Sequence, residues 1–251
     1  MENSFLLVRN SFVYAMNAFF SHPGFFILAM LAFVGTILGA IIGFIAIAFI
    51  PVGLAQSTFL STLIVIFFGL FVALLIGKLY FGLWKLLLSF YDNKNKPVPL
   101  STIFKVSNKR QLGRLFGFLI LSSLFYGMMD IFFSSLFSVR TLSVLILIMG
   151  IPCTYFAVRF IFGILSILDK NTSVIQGFKH SYALTKDNVF PVFLVVIATW
   201  FAHRLASLLS NGFVGGNIPL FITAFFILCA LMIIPITHLM IVYAYRVFGN
   251  E

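Results

Sequence analysis

Six long apolar runs, separated by short polar breaks, occupy most of this chain: Phe25–Ile50, Thr58–Tyr91, Arg114–Phe137, Leu142–Leu168, Asn188–Ser210 and Ile218–Phe248. A helix rises ~1.5 Å per residue, so about 20 residues cross a hydrocarbon core ~30 Å thick. Every run reaches that length. Backbone exposed to lipid must satisfy its own hydrogen bonds, which leaves helices or a closed barrel. The runs are unbroken rather than alternating, and that excludes the barrel. The pattern predicts an all-α polytopic membrane protein with six transmembrane helices, in a single integral membrane domain over residues 1–251.

The polar remainder sets the orientation. The chain is 62% hydrophobic and 9% charged, with a formal net charge of +10. In a soluble protein that excess would point to nucleic acid. Here the bases cluster in two connections. Residues 92–114 carry Lys94, Lys96, Lys105, Lys109, Arg110 and Arg114 against Asp92, and residues 169–188 carry Lys170, Lys179 and Lys186 against Asp169 and Asp187. The opposite connections, Pro51–Ser57 and Ser210–Ile218, are uncharged, and the third holds Arg140 alone. Lys and Arg stay on the cytoplasmic side during insertion, so both termini and both basic connections are expected there. The same bases attract anionic headgroups, which makes membrane lipids the expected partners and excludes nucleic acid. Met1-Glu2-Asn3-Ser4 has no basic n-region, so the first span is expected to stay as an uncleaved anchor. Cys153 and Cys229 lie inside spans and read as small apolar residues.

An internal repeat organises the runs. Tyr14-Ala15-Met16 followed by Pro23 and Phe25 matches Tyr182-Ala183-Leu184 followed by Pro191 and Phe193 without a gap, at an offset of 168 residues. Phe104-Lys105-x-Ser107 with Gly117 matches Phe178-Lys179-x-Ser181 with Pro191 at an offset of 74. The second spans echo as Gly77-x-x-Tyr80, Pro152-x-x-Tyr155 and Pro235-x-x-His238. Three two-helix units are predicted, at about 4–91, 100–168 and 172–248, each led by a cytoplasmic interfacial helix. In the first lead-in, Asn3, Asn10 and Asn17 form one stripe and Phe5, Val8, Phe12 and Phe19 another. In the third, Asn171 or Thr172 is the expected cap, with Ile175, Phe178 and Tyr182 facing inward.

From Gly150 the chain shows a longer motif: Gly150-Ile151-Pro152-x-x-Tyr155-x-x-x-Arg159, Asp169, Ser173, then Gly177-Phe178-x-x-Ser181-x-x-Leu184-Thr185-x-x-Asn188. It resembles the uncharacterised six-span bacterial inner-membrane proteins related to the membrane domain of glycerophosphodiester phosphodiesterases. The resemblance implies a multi-pass protein of the bacterial inner membrane. It carries no catalytic residue, because the catalytic domain of those enzymes is a separate soluble barrel. A structural role fits the motif: Ser181 bonding back to its preceding turn, and Asn188 capping span five.

Ionisable groups within spans are costly and need a partner or a purpose. Lys85 and Arg246 lie near cytoplasmic span ends, within snorkelling reach. Lys78 and Arg159 lie deeper, with Arg159 still able to reach the interface. Asp130, His203 and Arg204 sit ~20–27 Å along their spans, and the 74-residue offset places Asp130 level with Arg204. The 168-residue offset adds Thr36. If spans one, three and five share an axis, an acid, a base and a hydroxyl meet there. Thr36, Asp130, His203 and Arg204 are therefore the candidate polar cavity, with Lys78, Tyr80, Tyr155, Arg159 and His238 as secondary candidates. His22, His180, His203 and His238 lack i, i+3 or i, i+4 pairing, so no metal and no cofactor are expected. No catalytic motif occurs, and the chain does not read as an enzyme. Two functions fit: binding or transport of a lipid or other amphiphile, and a structural or assembly factor that binds other membrane proteins.

Overall fold

The computed structural model describes residues 2–54, 58–105, 109–136, 144–214 and 220–249, with the side chains of 44–65, 134–147, 203–231 and a few single positions excepted. These residues form α1 (Glu2–Ser21), α2 (Pro23–Leu54), α3 (Thr58–Asp92), α4 (Lys109–Leu136), α5 (Val144–Phe160), α6 (Gly163–Lys170), α7 (Val174–Thr185), α8 (Val189–Val214) and α9 (Leu220–Gly249), with a short 3-10 segment at Leu100–Ile103. No strand occurs among them. Five stretches are long and apolar enough to cross a membrane: Pro23–Gly43, Gly69–Asp92, Arg110–Phe133, Ile148–Lys170 and Met232–Gly249. A sixth is reached if Val174–Thr185 and Val189–Ala202, which meet at 108°, count as one. The chain is an all-helical, multi-pass membrane protein.

Local sequence accounts for most helix ends. Pro23 opens α2 where its missing N–H costs nothing. Ser173, rather than Asn171 or Thr172, caps α7: its hydroxyl accepts from the Gln176 amide while the Gln176 side chain accepts from the Ser173 N–H. Asn171 instead ends α6 in the left-handed region, φ 51°. The fourth apolar run behaves differently. It breaks at Ile161–Phe162 into α5 and α6, although Pro152 passes through α5 without ending it.

Consecutive long helices pair, α2 with α3, α4 with α5, and α8 with α9. Around them the lead-in segments pack in a cyclic order. The Leu100–Ile103 segment lies on α3, α7 lies on α6, and α1 lies on α9. Gly82 permits the first of these contacts, since a Cβ there would stand 1.8 Å from the Ile103 carbonyl oxygen. Gly177 permits the second; its Cβ would meet Ile167 Cγ1 at 2.9 Å and the Gly163 oxygen at 3.2 Å. The third is fixed by Tyr14, whose hydroxyl donates to Asn95 Oδ1 and whose ring stacks on Tyr243 at 5.0 Å. Burial, reinforced by Tyr91, Asp92 and Tyr243, raises the Tyr14 pKa and keeps the phenol a donor.

The faces of these segments depart from the expected stripes. In α7 the buried residues are Gly177, Ser181 and Thr185, while Ile175 and Tyr182 are exposed. In α1 Ser11, Ala15, Ala18 and Phe19 are buried, while Phe5 and Phe12 are exposed. Small residues face inward because the segments approach the spans closely. The large apolar side chains point outward, as suits a surface in contact with lipid.

The core lies where α3, α6 and α9 end together. Phe81, Leu87, Phe90, Leu165, Ile167, Leu239 and Val242 are almost fully buried there. Arg246 closes this end. Its Nη1 and Nη2 donate to Asp169 at 2.7 and 3.1 Å, and Nη2 also donates to Asp92 at 2.5 Å. The Tyr245 hydroxyl donates to Asp169 as well, at 3.1 Å. The fork geometry of guanidinium lets one cation serve both acids.

Candidate functional site

Two places gather polar side chains within apolar walls. The first is a cavity of about 380 Å³ enclosed by α3, α4, α6, α8 and α9. Tyr80 and Trp84 reach it from α3, Ser122 and Ser123 from α4, Thr199 from α8 and His238 from α9. Ile161, Ile164 and Ile241 complete its walls. The His238 ring packs 4.3 Å from Trp84 and edge-on to Tyr80 at 5.9 Å.

Hydrogen bonds within the helices set what this cavity offers. Ser122 donates to the Leu119 oxygen at 3.2 Å, Ser123 to the Ile120 oxygen at 2.8 Å, and Thr199 to the Val196 oxygen at 2.8 Å. Each hydroxyl proton is thus directed at its own helix, and the oxygen lone pairs remain as acceptors. His238 Nδ1 lies 2.8 Å from the Ile234 carbonyl oxygen, which can only accept. That assigns a proton to Nδ1. The indole N–H of Trp84 and the phenol of Tyr80 are the donors. Such a lining suits an amphiphile with a hydroxyl or amine head.

The residues that meet here recur at a constant spacing. Trp84, Ile161 and His238 are 77 residues apart, as are Ile164 and Ile241, and Ser122 and Thr199. Asp92, Asp169 and Arg246 share that spacing. The motif alignment placed Tyr80, Tyr155 and His238 together instead. Tyr155 does not join them.

Tyr155 and Arg159 form the second place. Arg159 is buried, 6% exposed. Its Nε donates to the Tyr155 hydroxyl at 3.0 Å, and its Nη1 is 3.5 Å from Thr185 Oγ1. The guanidinium lies between the Tyr155 and Tyr182 rings, 5.1 and 4.6 Å from their centroids. The side chain thus ends against α7, the segment expected at the interface. Ser181 supports the same corner. Its hydroxyl donates to the Arg159 carbonyl at 2.8 Å and accepts from the Phe162 N–H at 3.1 Å, satisfying the backbone that the α5–α6 break releases. This bond crosses to another helix; the bond back along α7 is made by Thr185, to the Ser181 oxygen at 2.9 Å.

The primary candidates lie elsewhere. Thr36 donates to the Ala32 oxygen of its own helix at 2.7 Å. Asp130 is exposed and accepts from Trp200 Nε1 at 3.0 Å. The side chains of His203 and Arg204 lie outside the described residues, and so does the meeting of Asp130 with Arg204. Lys78 is half-buried on α3. Trp84, Ser122 and Thr199 were not among the candidates, since nothing in their local sequence separates them from other span residues. Among the described residues no group of three His, Cys, Asp or Glu could hold a metal ion. No protein family, curated protein or solved structure matches the chain.

Proposed function

We propose that this chain is a six-span membrane protein that binds a lipid or another amphiphile in the cavity beside Trp84 and His238. The cavity lining carries the reading: apolar walls with one converging set of donors and acceptors, in a volume of about 380 Å³. Small-molecule sites have this character, with volumes of about 300–1,000 Å³.

The architecture belongs to the same proposal. Helix α8 has 26 residues and a length of about 39 Å, enough for a sixth span. The pairings α2–α3, α4–α5 and α8–α9 then form three two-helix units, each with a lead-in. The cyclic packing of the lead-ins and the 77-residue spacing support this reading. Both termini and the two basic connections are assigned to the cytoplasm on the charge pattern, and the bacterial inner membrane on the resemblance alone. Kinship with membrane domains of the glycerophosphodiester phosphodiesterase type rests on the Gly150–Asn188 motif.

The test uses tryptophan fluorescence. The chain has two tryptophans, so Trp200→Phe leaves Trp84 as the sole emitter. A brominated single-chain amphiphile should quench it saturably, and Ser123→Phe at the cavity mouth should weaken that quenching. A linear, unsaturable response that Ser123→Phe leaves unchanged would refute the site and favour the assembly-factor reading, in which the helix faces bind other proteins.

A further inference from the structure

We infer that Arg159 is the headgroup anchor of a second site, separate from the interior cavity, which holds one anionic phospholipid with an acyl chain in the groove between α4, α5 and α8. Three observations converge on it.

The first is charge. Among the described residues no carboxylate pairs with Arg159. A guanidinium has about five N–H donors, and among the described residues only the contacts to Tyr155 and Thr185 use any of them. A buried cation without a counter-anion is costly, and an anion from outside the chain relieves that cost. The tyrosine rings stabilise the cation through their faces but cannot neutralise it.

The second is a groove of about 400 Å³ that begins at Tyr155, the residue bonded to Arg159 Nε. Phe132, Phe133, Ile151, Val189, Phe190 and Phe193 line it. Its lining is almost wholly apolar, as an acyl chain requires.

The third is Thr154, which lines the same groove and is 7% exposed. Its hydroxyl oxygen has no hydrogen-bond partner among the described residues. A buried hydroxyl is rarely left so. The ester region of a glycerolipid, next to the phosphate, supplies the missing partner. A free phosphate ion would satisfy Arg159 alone and leave both the groove and Thr154 unexplained, so the lipid is the occupant.

Native mass spectrometry of the full chain in detergent tests this, with phosphatidylglycerol and phosphatidylcholine offered at equal concentration. Wild type should retain phosphatidylglycerol preferentially, with inorganic phosphate in excess unable to displace it. Arg159→Gln should lower that preference on the order of tenfold, and Arg159→Lys less, because lysine keeps the charge without the fork. Ile151→Trp, at a position 61% exposed, should fold normally and weaken retention of phosphatidylglycerol by filling the groove. Unchanged retention in a folded Arg159→Gln protein overturns the proposal. Should Arg159→Gln fail to fold, unchanged retention by Ile151→Trp does the same. Displacement by inorganic phosphate alone would also overturn it, in favour of a simple anion site. Quenching of Trp84 in the Trp200→Phe background should be unaffected by Arg159→Gln, which separates this site from the interior cavity.

Discussion

Ser181→Ala offers the sharpest test of how the fold tolerates a break inside a span. Ser181 is fully buried and bonds both backbone groups at the break, the Arg159 carbonyl and the Phe162 N–H. Alanine removes both bonds and creates little empty space. The Arg159 oxygen keeps a distant neighbour in Thr185 Oγ1 at 3.5 Å, so the orphaned group is chiefly the Phe162 N–H. An unsatisfied buried donor costs about 1–3 kcal/mol. Interhelical side-chain bonds in membrane proteins average only about 0.6 kcal/mol, because the unfolded state in the membrane finds other partners. The break decides between these magnitudes. A continuous helix satisfies its own amides, whereas the Phe162 N–H has no second partner among the described residues, so a loss of about 2–3 kcal/mol is expected. Ser123→Ala, which removes a bond to its own helix at an exposed position, should cost less than about 0.5 kcal/mol. Reversible unfolding in mixed micelles, followed by circular dichroism, measures both. A Ser181→Ala loss no larger than that of Ser123→Ala would refute the argument.

Three further outcomes are expected. Arg246→Gln leaves Asp92 and Asp169 facing each other and should cost about 1–3 kcal/mol, less than a fully buried pair because Asp92 is half exposed; Arg246→Lys should recover only part of that in the same unfolding assay. Asp130→Asn keeps the acceptor for Trp200 while removing the charge. If Asp130 and Arg204 form a pair, Asp130→Asn and Arg204→Gln should each lower stability and the double variant by less than their sum, whereas additive losses in thermal melts would show that the groups never meet. A reporter fused after Asn95 should be active in the cytoplasm and one within Asn211–Gly216 outside; the opposite result would overturn the proposed orientation.

The extents of α2, α3, α4, α8 and α9 were legible because length and hydropathy alone decide a span. Pro23 marked a boundary correctly for the same reason: its missing N–H acts locally. The break at Ile161–Phe162 was not legible. It lies in an unbroken apolar run, and what sustains it is Ser181, about 20 residues away. The inward faces were also hidden. Lipid and protein core are both apolar, so Leu87, which is buried, and Leu74, which is exposed, look alike in sequence. For that reason the alignment on Gly77, Pro152 and Pro235 placed Tyr155 with His238. The packing instead brings together positions 77 residues apart. Within the candidate site, His238 and Tyr80 were recognised as polar residues in spans, while Trp84, Ser122 and Thr199 acquire meaning only through their neighbours.

If the proposed three-unit architecture holds, the arrangement of Asp92, Asp169 and Arg246 bears on why three helix pairs would share one polypeptide. Three identical subunits around an axis would place the same side chain there three times: three acids that repel, or three bases that do. In the proposed repeat, covalent linkage would free each unit to diverge, and here two positions carry an acid and the third the base that joins them. An assembly of identical parts cannot make this junction. Separately expressed halves of the chain, by contrast, would still have to find each other through it, and the charge reversal at position 246 gives each half one correct partner.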